Sequence, residues 1–217
     1  MATKLSLYNE ALRILGERNL ASLTENREPR RLLDAVYDAG AVNYCLEQGQ
    51  WAFAMRAVKL EYSPSIVMGF SGGYSRGFEK PTDYVRLAAF CTDARFTSPT
   101  IYYATEAGFW FADVDEVYVK YVSNNTSFGK DLSLWPETFT RYAASYLAVE
   151  IVERLTQNSA KWDQTYKLAK QRLREALSKD AMEGPTRELP TGSWANARAG
   201  GSRNPWRDRG NRGQLIG

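Results

Sequence analysis

A chain of 217 residues, 44% of them apolar, is long enough for one domain, or a domain with a subdomain, around a sizeable core. It contains no histidine, which removes the commonest proton shuttle and transition-metal ligand and leaves carboxylates, Lys, Tyr or Cys as the only groups for catalysis. Bases are unevenly placed: six arginines and two acids follow from Gly184 onward, while the stretch before it holds 22 bases and 23 acids, so the positive excess points to a local docking arm rather than to a globally basic, nucleic-acid-coating protein.

The opening stretch, MATKLSLYNEALRIL, is amphipathic and lacks the apolar region and cleavage site of a secretory signal. No apolar run approaches the ~18 residues a membrane span needs, so a soluble protein made in a cytoplasm is expected. Leu5, Tyr8, Leu12 and Leu15 recur at helical spacing, with Gly16 placed to end the first helix. Pro29 opens a second helix whose face is Leu32, Val36, Ala39, Asn43 and Leu46, stopped by Gly49; small Ala39 and Gly40 allow close packing on it.

From Trp51 the texture becomes aromatic and β-branched, in the runs WAFAMRAVKLEY, DYVRLAAF, TIYYA, FWFA and EVYVKYV. TIYYA and FWFA flank Thr105–Gly108 and predict a hairpin, with a third strand at Val117–Val122 pairing next. Between Ser63 and Pro81, four glycines are mixed with Phe70, Tyr74 and Phe78, which predicts a protruding loop or ribbon that meets another chain.

Near Pro136 a third helix begins, with Phe139, Tyr142, Ala143, Tyr146, Leu147, Ile151 and Leu155 on one face. Asn158 and Ser159 break and recap the chain. A fourth helix then carries Trp162, Tyr166, Ala169, Leu173, Ala176 and Leu177 inward, and its lysines and arginines outward.

Two helices, a β region and two more helices predict an α+β fold: a helical bundle built from both ends of the chain, an inserted antiparallel β subdomain, and an extended C-terminal arm. The boundaries read as 1–50, 51–130 with the Gly/aromatic loop at 63–80, 131–183, and the basic tail at 184–217. Cys45 and Cys91 fall within the predicted helix and at a strand end, and are expected as free core thiols.

Signatures of chemistry are sparse. GFSGGYSRG lacks the GxGxxG spacing and the following helix that would present amides to a diphosphate. Asp113–Glu116 offers carboxylates without the ligand spacing of a calcium loop, and reads better as a polar strand connection. Glu137, Glu150 and Glu153 are acid/base candidates by residue type, and motivate a peptidoglycan hydrolase as one alternative.

The tail sets Trp194 and Trp206 among Arg198, Arg203, Arg207, Arg209 and Arg212. Tryptophan and arginine dominate interface hot spots, while alternating aromatics and bases also suit single-stranded nucleic acid, so a nucleic-acid-binding module is a second alternative. A solvated, disordered end is the plainest reading of any one of these residues.

QGQWAFAMRAVKL, KPTDYVRLAAF, IYYATEAGFWFADVDEVYVKYV and LWPETFTRYAASYLAVEIVERLTQN, in that order, resemble the phage tail tubular protein A family, the head-to-tail adaptors of short-tailed bacteriophages. Trp51, Pro81, Asp83, Tyr84, Tyr121, Trp135, Pro136, Phe139, Leu147, Ala148 and Thr156 fill the places of that pattern, which spans most of residues 5–182. The Gly-rich insert and the tail after Gly184 depart from it.

The resemblance implies a non-enzymatic virion protein without cofactor or metal, forming a homo-oligomeric ring of twelve between the portal protein and the tail nozzle protein. Double-stranded DNA would pass through the lumen without specific binding. In that setting Trp194, Arg198, Arg203, Trp206, Arg207, Arg209 and Arg212 are the candidate contacts to the portal or a neighbouring subunit. Phe70, Tyr74 and Phe78 are the candidate contacts to the tail nozzle.

Overall fold

A computed structural model of the protein describes residues 2–66, 73–97 and 99–184. Phe70 and every candidate contact of the tail, from Trp194 to Arg212, lie outside the described residues. The fold is α+β: helices α1 (Lys4–Leu15), α2 (Glu28–Val36) and α3 (Val42–Glu47) precede six strands, and α4 (Glu137–Thr156) and α5 (Ser159–Glu183) follow them. Among the described residues no helix is long and apolar enough to cross a membrane.

Each helix has an identifiable start and stop. Thr3 caps α1 by accepting from the Ser6 amide, Ser6 returns the contact to the Thr3 amide, and Gly16 closes the helix at φ 81°. Gln157 takes a left-handed φ of 49° after α4, and Asn158 then caps α5 by accepting from the amides of Ala160 and Lys161.

The second predicted helix divides. After α2 a single π-type turn covers Tyr37–Ala41, and Gly40 sits at φ 106°, so α3 leaves on a new axis. Gly40 is therefore a hinge of the backbone rather than a packing notch within one continuous helix; only a residue without Cβ enters this conformation cheaply.

The strands are β1 (Met55–Glu61), β2 (Arg76–Glu79), β3 (Tyr84–Cys91), β4 (Ala104–Glu106), β5 (Phe109–Ala112) and β6 (Glu116–Ser123). They form two antiparallel sheets, ordered β1-β6-β3 and β2-β5-β4. The β4–β5 hairpin turns at Ala107 and Gly108, both with positive φ, as a type I′ turn requires. Contrary to expectation β6 does not extend that hairpin: it lies between β1 and β3 in the other sheet. TIYYA shortens to its end, and Ile101 and Tyr102 remain exposed. Two register shifts in β3, between Tyr84 and Arg86 and between Leu87 and Ala89, bend that strand.

Two apolar clusters result. One gathers α1–α5 with Trp51, Ala54 and Val122; the other joins the facing sheets through Phe78, Phe90, Trp110, Val117, Val119 and Tyr121. Cys45 and Cys91 are buried free thiols, as expected.

Candidate functional site

Two features of the folded chain combine polar chemistry with defined geometry. The first is a knot at the junction of sheet and helices. Asp83, in the turn before β3, is 7% exposed and accepts from Arg56 Nη1 of β1 at 2.8 Å. It also accepts from Tyr121 Oη at 2.9 Å and Ser123 Oγ at 2.5 Å, both of β6. Burial pushes the Asp83 carboxyl up, but the hydrogen bonds from Ser123, Arg56 and Tyr121 together outweigh it and hold the group below the ordinary carboxylate range. Tyr121 is pushed up to about 12 by burial and by its anionic partner.

Around this knot the chain is tied closely. Gly129 donates its amide to the Ser123 carbonyl, and the Trp135 indole donates to the Gly129 carbonyl at 2.8 Å. Trp135 and Trp51 each meet Phe139 with ring centroids 4.8 Å apart, and the Trp51 indole donates to the Cys45 carbonyl at 3.1 Å. The donors named here, from Arg56, Tyr121, Ser123, Gly129, Trp135 and Trp51, all reach acceptors within the fold, so the arrangement is built to hold shape.

The second feature is an open cleft of about 510 Å³ between α3, α4 and α5. Its walls include two stacked ring pairs, Tyr44 on Tyr146 at 4.5 Å and Trp162 on Tyr166 at 5.0 Å. Lys170 Nζ lies 4.4 Å from the centre of the Tyr166 ring, and Glu150 and Glu153 line the α4 wall. Burial pushes the Tyr146 hydroxyl up, and its Glu150 neighbour pushes it further. Tyr44 and Tyr166 remain 45% and 39% exposed, so part of each side chain is left accessible at the cleft.

The candidate residues are distributed unevenly over these features. Phe78 is fully buried on β2, against Phe90 of the facing sheet, and is a core residue rather than a nozzle contact. The cause is pairing: part of the Gly-rich stretch forms a strand against β5, with Phe78 opposite Trp110. Tyr74 is half-buried just before β2. In the following polar connection, Asp113 accepts from the Ser75 amide and hydroxyl, Asp115 pairs with Arg76, and Glu116 pairs with Lys59, so each carboxylate holds neighbouring strands.

Glu137 pairs with Arg141 at the start of α4, thirteen positions before Glu150. That spacing is roughly 20 Å along a helix, well beyond the separation of a two-carboxylate glycosidase. Glu150 and Glu153 are one turn apart and share the cleft. Tyr146, Trp162 and Tyr166 carry the periodicity of core positions, and no signal in the sequence separates a covered aromatic face from this open one; Tyr44 was not discernible at all.

Compared with known proteins, the chain matches no family model and no curated protein.

Proposed function

We propose that this chain is a structural head-to-tail adaptor of a short-tailed bacteriophage, one subunit of a ring, of twelve copies by resemblance, between the portal and the tail nozzle. In this reading it catalyses no reaction, resides in the virion and shapes a duct through which double-stranded DNA passes. Helices from both ends of the chain form a bundle in the ring wall, the inserted sheets face the nozzle, and the C-terminal arm reaches the portal or a neighbour.

One observation supports this reading above the others. Eight of the eleven residues that carry the resemblance, though scattered along the chain, converge in the interior: Trp51, Trp135 and Phe139 form one aromatic group, Leu147 and Ala148 belong to the same buried cluster, and Asp83, Tyr84 and Tyr121 meet at the adjoining junction. Such a set specifies a rigid frame rather than a reaction centre, which suits a part whose work is geometric. Ring closure needs a donor and a receiver surface on every subunit, and in this reading the C-terminal arm supplies the donor.

Size-exclusion light scattering of the protein alone and with its portal protein tests the proposal. A monomer that becomes a closed multimer on mixing is expected. A chain that stays monomeric with portal present, or electron microscopy of virions that places it elsewhere than between head and tail, overturns it.

A further inference from the structure

We infer that the α3–α4–α5 cleft is the receiver for the segment Trp206-Arg207-Asp208-Arg209 of a second copy of this chain; the inference rests on the ring reading for the identity of the neighbour, and on the cleft's own chemistry for the identity of the ligand. The stacked pairs Tyr44/Tyr146 and Trp162/Tyr166 line a cleft of about 510 Å³, a volume within the range that takes a drug-sized group, and Tyr44 and Tyr166 stay partly exposed there. Glu150 and Glu153 add two carboxylates to one wall, and Lys170 adds one ammonium over the Tyr166 ring.

A complementary ligand must therefore offer a planar aromatic group, planar cations and an anion. Guanidinium meets the first wall best, because it stacks on aromatic rings and forks onto carboxylates, which a lysine ammonium does not do. An indole adds the largest apolar contact of any side chain at an interface. Trp206, Arg207, Arg209 and Asp208 supply this set in four consecutive residues, with Asp208 the counterpart of Lys170. No lysine follows Gly184, so the arm's cations are all of the kind this surface favours.

Length permits the transfer. Trp206 follows Gly184 by 22 positions, up to roughly 70 Å of extended chain, enough to reach an adjacent subunit. Each copy then gives one arm and receives another, a heterologous contact that repeats around a closed ring.

The test is photo-cross-linking of the full-length protein with Gln48→benzoylphenylalanine at the rim of the cleft, in an equal mixture of natural-abundance and ¹⁵N-labelled chains mixed with the portal protein. The expected product joins the probe to the peptide containing Trp206, with the two isotopes mixed in one cross-link. Trp206→Ala with Arg207→Glu lowers its yield about tenfold, as loss of a central anchor does. Glu150→Arg with Glu153→Arg does the same, and adding Arg207→Glu with Arg209→Glu to that variant restores the product, while unchanged circular dichroism melts show that folding is intact.

Cross-links confined to a single isotope, a link to another region, or none overturns the inference. Saturable quenching of cleft fluorescence by tri-N-acetylglucosamine, with no link to the arm, assigns the cleft to carbohydrate and overturns it as well. Light scattering on the same samples separates the two claims: a closed multimer without arm in the cleft sinks this inference alone, whereas a mixed-isotope link in a species that never closes into a ring keeps it and sinks the ring.

Discussion

The hydroxyl of Tyr121 donates to Asp83 at 2.9 Å across the junction of the two apolar clusters, and the same carboxylate gathers Ser123 and Arg56. One anion thereby fastens β1, β6 and the entry to β3 at a single point. Because the group is nearly buried, its charge is sustained only while all three donors remain in place.

The sign of the resulting pH dependence follows from the depressed Asp83 pKa. Its stabilisation is fully present above the ordinary carboxylate value of 3.8 and is lost as pH falls through the lower value of the folded state. Asp83→Asn is expected to lower stability by about 2–3 kcal/mol at neutral pH in urea titrations, and to flatten the dependence of stability on pH below about 4. Parallel acid curves for the variant and the parent would show that Asp83 contributes nothing to the linkage.

Gly129 lies under a carbonyl. A Cβ at this position would collide with the Ser123 carbonyl oxygen and sit 2.9 Å from Leu46 Cδ1. Gly129→Ala must displace the loop that receives the Trp135 indole, so a loss of about 2–3 kcal/mol is expected. Thermal melts check it; a midpoint equal to the parent's refutes the close approach.

Burial pushes both thiols up, Cys45 above its ordinary range and Cys91 in the same direction. A thiolate is the reactive form, so neither residue should react with a thiol reagent while the fold is intact. Reaction with dithionitrobenzoate is expected to track global unfolding across a urea series. Rapid modification of either cysteine in native buffer contradicts the packing described.

Among the described residues, the members of both apolar clusters all lie in the unit Met1–Gly184. Truncation after Gly184 is expected to change the unfolding free energy by no more than about 0.5 kcal/mol. On the proposed adaptor role, particles built from the truncated chain release their genome prematurely or fail to mature. If they infect as well as intact particles, the anchoring role of the arm falls.

Much of the helical architecture is legible in the sequence because its determinants are local. Apolar residues three and four apart mark the inward faces of α1, α4 and α5, and Gly16, Pro136 and Asn158 mark their limits. Gly40 is harder to read, since a glycine within a helical pattern serves equally as a notch or as a break, and only the fit of Leu33, Val42 and Leu46 into one cluster decides for the break.

Strand order is less legible still. Alternation along β6 says which side chains point inward, yet its neighbours are chosen by distant β1 and β3 rather than by the adjacent hairpin. Phe78 is obscure in the sequence for the same reason, since the glycines around it suggest a loop while its partner Trp110 lies 32 residues away. The cleft is not legible in the sequence because core and groove share one periodicity; the spacing of three helices determines which it becomes.

Strand β6 is hydrogen-bonded along both edges, to β1 over seven positions and to β3 over six, and its side chains feed both clusters, with Val122 in one and Val117, Val119 and Tyr121 in the other. A pull along this strand loads both ladders in shear, so the bonds must yield together rather than one after another. Under tension the molecule should therefore part first at its helix ends and hairpin, and last along this central seam.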